Sequence, residues 1–335
     1  MITIKEVAEL AQVSQATVSR TLNGHASVKE ANKTRVYAAI EQLGYKPNAF
    51  AQALASNRSC SIGMLVGTLD GPFYGPMMHE VEKVVRKENY HLIITSGHEK
   101  YDEEHESIRF LRSKKVDGLV LTVDTLPDSE LLEIANEVEA TVLINRYIPE
   151  IANRCIWIDN ERGGFLATEH LIQKGHQHIG CVTGQLSKVD SRDRLQGFRN
   201  ALSQYGIDYN PHAVVEGRFD HKCNHEAIRR LLDRDIPLTA IFCMNDNIAM
   251  TAYSLCIERG LTVGEDISII GFDNVSFGQY MTPGLTTIDF PIQTMATEAA
   301  KKVMGIVQGK SNAKQPSAPI VPDVIVRGSV KDLTE

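Results

Sequence analysis

The feature that most constrains this chain is an alternation that begins at Ser61 and runs nearly to its end. Short, almost continuous Val/Ile/Leu runs (SIGMLVG, HLIITSG, GLVLTV, TVLIN, CIWID, then HIGCVTG, AVVEG, TAIFCMN, ISIIGFD) are separated by amphipathic segments. Those segments open near Gly75, Asp102 and Asp128, and then at 161–174, 190–205, 221–233 and 245–259. A strand with no polar alternation is covered on both faces, and strands separated by helices pair in parallel. The pattern runs twice, so an α/β fold of two doubly wound, parallel-sheet lobes is expected. LTTIDF, a helix from Pro291 to about Gln308 and VPDVIVRG complete the chain, the last run returning to the second lobe. The expected lobes are about 60–158 with 290–319, and about 161–287 with 321–330. Ligands of open α/β sheets bind at the carboxyl ends of the strands, here in the cleft between the lobes.

Residues 1–46 follow a different pattern. TIKEVAELAQVSQATVSRTLNG reads as a helix, a tight turn at Gln12-Val13 and a second helix. Thr3 and Ser14 are the N-cap types, and Ile4, Val7, Ala8 and Ala11 share one helical face. Val18 and Leu22 point back to that face, while Gln15, Ala16, Ser19 and Arg20 occupy the other. Slim side chains with a Gln and an Arg suit a helix entering the DNA major groove; a plain helical hairpin capping the larger domain is the alternative. Ser27 and Glu30 predict a capping box opening a third helix that Gly44 ends. So small a three-helix core is expected to be marginally stable. Residues 47–59 follow as a candidate hinge. Asn48 can cap a helix of two turns at most, which would form only against a partner, and Leu54 suits a minor-groove wedge; a plain linker helix is the other reading.

Charge agrees with this division. The chain carries a net charge of −7, but residues 1–60 hold seven Lys/Arg against four Glu, so a basic head precedes an acidic body. Polyanion contact is expected at the head only. The six cysteines are scattered in apolar runs rather than arranged as a disulfide framework, and the N-terminus opens into an amphipathic helix, not an export signal. Both suit a cytoplasmic protein. No apolar run reaches the ~20 residues of a membrane span.

The strand ends carry the chemistry. The first ends Thr68-Leu69-Asp70-Gly71-Pro72-Phe73-Tyr74; others end at Asn145-Arg146, Asp159-Asn160, Asn245-Asp246 and Phe272-Asp273-Asn274. Asp190, Arg192, Asp193 and Arg194 stand before the helix that follows HIGCVTG. Carboxylates, amides, an Arg and aromatic rings together can hold a sugar through its hydroxyls and C–H faces. No catalytic constellation, dinucleotide fingerprint or phosphate loop is present, so neither an enzyme nor a cofactor is expected. His176-x-His178 and His221-x-Cys223-x-His225 lack the second pair of a zinc finger, so no metal is expected.

TIKEVAELAQVSQATVSRTLNG, YKPNAFAQALA, GPFYG, the LINR strand end, DRLQGF, MNDNIA and IIGFDN resemble the LacI/GalR family of bacterial transcription repressors along essentially the whole chain. VLINRYIP, NRCIWIDN, LATEHLIQKGH and PIQTMAT look most like its galactose-responsive branch. The resemblance implies a periplasmic-binding-protein-like effector domain at 60–335, a homodimer and a pseudo-palindromic double-stranded DNA operator. It carries over Thr3, Ser14, Gln15, Ala16, Thr17, Ser19, Arg20 and Asn23 as DNA-contact positions, with Asn48, Ala51 and Leu54 in the hinge. For the ligand it carries over Asp70, Phe73, Tyr74, Asn145, Asp190, Arg194, Phe219, Asn245 and Asp273, with Phe219 stacking on the sugar. It implies a sugar effector, D-galactose or a relative acting as inducer. A purine-type ligand, or a stand-alone sugar-binding protein, is the alternative. Gln15 departs from the small apolar residue of galactose repressors. Trp157 could stack on a sugar, but strand alternation makes it core. The chain lacks the leucine heptads of a tetramerising C-terminus.

Overall fold

A computed structural model describes residues 2–22, 27–45, 58–219, 224–310 and 318–334. It divides into two units, Met1–Cys60 and Ser61–Glu335. The hinge positions Asn48, Ala51 and Leu54, and also Asn23, His221 and Cys223, lie outside the described residues.

The first unit is helical: α1 (Ile4–Leu10), α2 (Gln15–Leu22) and α3 (Glu30–Leu43). Thr3 stands at the N-cap of α1, where its backbone N–H donates to the Glu6 carboxylate at 2.7 Å. The Glu6 pKa is lowered by that bond and by a second from the Thr3 hydroxyl. Gln12 takes the left-handed backbone of the turn (φ 51°), and the Ser14 hydroxyl accepts from Thr17 N–H at 3.2 Å to cap α2. Gly44 ends α3 at φ 63°.

The capping box expected at Ser27–Glu30 does not form. Val28 is buried, which brings the helix start to Lys29, and Glu30 becomes the first helical residue. From there its carboxylate pairs with Lys33 at 3.1 Å and favours the positive end of the helix. The core of this unit is Val7, Ala8, Ala11, Val18, Val36 and Ala39, flanked by half-buried Ile4, Val13, Leu22, Ile40 and Leu43.

The second unit contains both sheets. The first-lobe elements are β1 (Ser61–Val66), α4 (Tyr74–Lys87), β2 (His91–Ser96), α5 (Tyr101–Ser113), β3 (Gly118–Leu121), α6 (Asp128–Glu137), β4 (Thr141–Ile144) and β5 (Cys155–Ile156). Their sheet has the order β2-β1-β3-β4-β5 and is parallel throughout. The second lobe holds α7 (Asn160–Gln173), β6 (Ile179–Thr183), α8 (Val189–Gln204), β7 (Val214–Glu216), α9 (Asn224–Leu232), β8 (Ala240–Cys243), α10 (Asp246–Glu258), β9 (Ser268–Asp273) and β10 (Thr286–Asp289). The closing strand β11 (Val324–Ile325) pairs antiparallel with β10, and the order is β11-β10-β9-β8-β6-β7. The last helix, α11 (Ile292–Val307), returns to pack on α4 and on β3 and β4 of the first sheet.

Strand order reverses at β1 in one sheet and at β6 in the other. Loops leaving a parallel sheet at such a point diverge to opposite faces and open a crevice. The loops in question are Gly67–Phe73 and Gly184–Lys188. The lobes are joined where Asp159 N–H donates to the Ile320 carbonyl at 3.0 Å, Ile320 N–H to the Trp157 carbonyl at 2.9 Å and Asp289 N–H to the Asp323 carbonyl at 2.8 Å.

Helices α7 and α8 pack with their backbones nearly touching. A Cβ on Gly197 would overlap the Glu161 carbonyl, and one on Gly164 would overlap the Arg194 carbonyl. Only glycine permits that approach, which brings Asn160 and Arg194 side by side at the cleft end of the pair. His176 is buried with its two ring nitrogens against the Thr239 hydroxyl (3.0 Å) and the Lys331 carbonyl (3.1 Å). Among the described residues no helix is long and apolar enough to cross a membrane.

Candidate functional site

A cavity of about 680 Å³ lies where the carboxyl ends of the two sheets face each other. Asp70, Phe73, Tyr74, Asn145, Asp190, Arg194, Phe219, Asn245 and Asp273 all line it. On the first-lobe side the Phe73 ring meets Tyr74 edge-on, with centroids 5.1 Å apart and planes at 86°. It meets Phe290 similarly, at 5.1 Å and 75°. Burial pushes the Tyr74 hydroxyl far above its usual pKa, with Asp124 adding to the shift, so it stands in the cleft as a neutral donor and acceptor.

Asp190 and Arg194 lie within the first turns of α8, rather than in a loop before it, and their spacing of four places them on one helical face. Arg194 is buried and held from all sides. Its Nε donates to Asn160 Oδ1 at 2.9 Å and its Nη1 to the Met244 carbonyl at 2.6 Å. Nη1 also lies 3.8 Å from Asp273 Oδ1. The guanidinium stacks on Phe272 at 3.6 Å and stands 5.4 Å from the Phe219 centroid. Asn160 in turn donates to Asn145 Oδ1 at 3.1 Å, so the network spans the join between the lobes.

Asn245 caps α10 by accepting from Ile248 N–H at 2.8 Å. Its amide and that of Asn247 both donate to the Phe219 carbonyl at 3.2 Å, fixing the loop that carries the ring. Burial drives the Asp273 carboxyl well above the aspartate range, opposed by Arg194 and reinforced by Asp246 and Asp190.

Several cleft residues hold left-handed backbones without being glycine: Asn145 (φ 58°), Asp273 (φ 110°), His98 (φ 48°) and Glu99 (φ 57°). Such conformations cost free energy and persist where the surroundings over-determine them, commonly at functional sites.

The cleft contains residues that the strand-end reading passed over. His98 and Glu99 follow β2, Thr122 and Asp124 follow β3, and Lys188 precedes α8; Asn247 and Phe290 also line the cavity. Lys188 Nζ lies 3.0 Å from Glu99 Oε1, 3.2 Å from Asp124 Oδ1 and 4.8 Å from the Phe219 centroid. Burial opposes its charge, but Asp124, Asp190 and Glu99 outweigh burial and hold the ammonium well above the usual lysine range. Burial pushes Asp124 up to about 6, with Lys188 pulling it down. Among the described residues, Asn247 Oδ1 is buried without a hydrogen-bond partner. The polar signal was present in the sequence at the ends of β2 and β3. Trp157 is absent from the lining; half-buried, it packs on Tyr147 in the first lobe with centroids 4.8 Å apart.

In the helical unit, Gln15, Ala16 and Arg20 form an exposed row on α2 with half-buried Ser19 beside it. Thr17 is half-buried, its hydroxyl 2.9 Å from that of Ser14. Thr3 and Ser14 are exposed at the starts of their helices. Among the described residues this places the carried-over positions on one outward face and the amino ends of two helices, a surface that can meet phosphates and base edges together.

Comparison with known proteins agrees with both halves. Residues 3–48 match the profile of bacterial regulatory proteins of the lacI family, and residues 168–330 that of the periplasmic binding protein-like domain. The HTH-type transcriptional regulator GalR of Escherichia coli K12 is 39% identical, over 92% of this chain and 90% of its own length. The HTH-type transcriptional repressor PurR of Aliivibrio salmonicida is 38% identical, over 99% of this chain and all of its own. Of solved structures, the lac repressor dimer bound to operator and the anti-inducer ONPF matches with a TM-score of 0.86 at 26% identity, covering 98% of this chain and 99% of that one. The transcriptional regulator CelR–cellobiose complex matches with a TM-score of 0.71 at 28% identity, covering 98% of this chain and 100% of that one. These relatives are named as regulators, not enzymes.

Proposed function

The chain belongs to the LacI family of bacterial regulatory proteins, and from that premise we propose that its cleft binds D-galactose or a close relative and that this sugar releases the operator. The regulator is DNA-binding and ligand-responsive, and it is not an enzyme. The observation that carries the sugar reading is the character of the lining. Asp70, Asp190, Asp273, Asn145, Asn245 and Asn247 converge on one space of about 680 Å³. Carboxylates and amides suit a ligand rich in hydroxyl donors, and the excess of carboxylates over cations disfavours an anion. Phe73 and Tyr74 stand edge-to-face rather than parallel, so these two rings do not form a sandwich for a flat base. The similarity to PurR supports the second reading, a purine-type ligand.

In the favoured reading Asp70 and Phe73 contact the sugar from the first lobe, and Asp190, Arg194, Phe219 and Asp273 from the second. A ligand that touches both lobes favours one arrangement of them by its differential affinity. Gln15, Ala16 and Arg20 read base edges, with Thr3, Ser14, Thr17, Ser19 and Asn23 around them. Asn48, Ala51 and Leu54 act in the hinge, and two copies of the chain bind a pseudo-palindromic operator in the cytoplasm. Isothermal titration of the full chain with D-galactose, D-glucose, hypoxanthine and guanine tests the ligand. Saturable heat with galactose is expected. Heat with a purine and none with either sugar would transfer the cleft to the second reading.

A further inference from the structure

Lys188 reaches across the cleft. It leaves the second lobe at the amino end of α8, and its ammonium ends between two first-lobe carboxylates, Glu99 at 3.0 Å and Asp124 at 3.2 Å. The side chain is 6% exposed. Gln185, from the same second-lobe loop, donates its amide to the other Glu99 oxygen at 3.1 Å.

The first-lobe half of this cluster rests on a built frame. Glu99 and the preceding His98 both hold left-handed backbones, at φ 57° and 48°, an arrangement that turns Glu99 inward. The loop bearing Asp124 is fixed from beneath by Glu104, a buried carboxylate that accepts from the N–H groups of Asp124 (2.9 Å), Thr125 (3.1 Å) and Leu126 (3.2 Å). Gly97 keeps that frame tight, because a Cβ there would overlap the Glu104 side chain. A buried charge is tolerated only when paired and hydrogen-bonded; both ion-pair partners of Lys188 come from the opposite lobe, while Asp190 and the Phe219 ring face it from its own.

We propose that Lys188, Gln185, Glu99 and Asp124 form a latch that holds the two lobes together before any ligand enters, with Lys188 a positioning residue for the ligand response. The latch acts whatever the ligand. Parting the lobes breaks it, so it sets how often the ligand-free cleft opens. Removing Lys188 leaves Glu99 and Asp124 facing each other without a cation, which favours the open arrangement.

The test is hydrogen exchange of the ligand-free full chain, read at the joins between the lobes, residues 157–160, 289–292 and 318–324. Three proteins are compared with wild type: Lys188→Met, Glu99→Gln, and the charge swap Lys188→Glu with Glu99→Lys. Either single substitution should speed exchange at the joins severalfold while β6 and β8 keep wild-type protection, and the swap should slow it again toward wild type. Wild-type exchange at the joins in both single variants would overturn the latch. So would a folded swap whose joins exchange as fast as those of Lys188→Met, because a merely structural lysine would not be replaced by reversing the pair.

Discussion

The outer face of α2 presents Gln15, Ala16 and Arg20 to solvent above a core of valines and alanines. The cleft presents Arg194 and Lys188 as buried groups already held, the first by Asp273 and the second by Glu99 and Asp124. In the first region a proposed contact residue carries little of the fold, so reading and stability are separable. In the second the proposed ligand contacts are also the ties between strands, helices and lobes. A change there is felt first by the fold and only then by the ligand.

That contrast can be broken most forcefully at Arg194. Arg194→Ala leaves Asp273, Asn160 Oδ1 and the Met244 carbonyl without their cationic partner. Removing one member of a buried pair typically costs ~3–5 kcal/mol. Urea unfolding should show a loss of that order together with loss of the ligand response. An unchanged unfolding midpoint would mean that the cleft is no more self-supporting than the α2 face.

Arg20→Ala is the converse. It should weaken operator binding by ~1–3 kcal/mol and relax selectivity at one base pair, while stability stays within about 0.5 kcal/mol, as for an exposed side chain. Gel-shift and thermal melting of the same preparation check both halves. A large fall in Tm would join what the comparison separates.

A third effect, in stability against pH, concerns Asp246, buried beneath the cleft, where it accepts from the Thr287 hydroxyl at 2.6 Å and from Val275 N–H at 2.8 Å. Burial pushes its carboxyl up to about 7, against the downward pull of those two bonds. A raised carboxyl pKa means that the folded state keeps a proton which the unfolded chain releases around the ordinary 3.8. Its contribution to stability is therefore full below that value and is lost as pH rises toward about 7. Burial lowers the pKa values of His170 and His176, which act in the opposite sense as pH falls, but they are common to both proteins. Asp246→Asn should thus gain Tm relative to wild type as pH is raised from about 4 to about 7, and hold a constant offset above that range. A pH-independent offset would contradict the assignment.

The sequence revealed some of this more readily than the rest. Periodicity and caps made the two-helix hairpin legible, because Thr3, Gln12, Ser14 and Val18 act within a few residues of one another. The strands were legible because continuous Val/Ile/Leu runs leave little else to fold into. The start of α3 was misplaced: the Ser27–Glu30 pattern competes with burial of Val28, and burial depends on the core rather than on the local motif. The nine carried-over ligand positions converge on the cleft wall because they sit at strand ends or on loops at the same edge of the sheets, but the residues that tie the lobes were not visible. Lys188 and its partners Glu99 and Asp124 stand 89 and 64 positions apart in the chain. Strand order sets β2 and β3 on either side of β1, and the facing of the two sheets across the cleft brings the end of β6 to them. Arg194 is carried over as a ligand position, and the glycines of α7 and α8 also bring it against Asn160, where its Nε is committed internally, a contact that no local pattern announces.

In the proposed function, cleft and DNA-reading face answer to each other through a sugar. The most direct test is fluorescence anisotropy of the tightest-binding genomic fragment, titrated with the full chain in the absence and presence of saturating D-galactose. Operator affinity should fall with the sugar by a factor corresponding to ~1–3 kcal/mol of coupling. Operator affinity unmoved by galactose that calorimetry shows to be bound would contradict it.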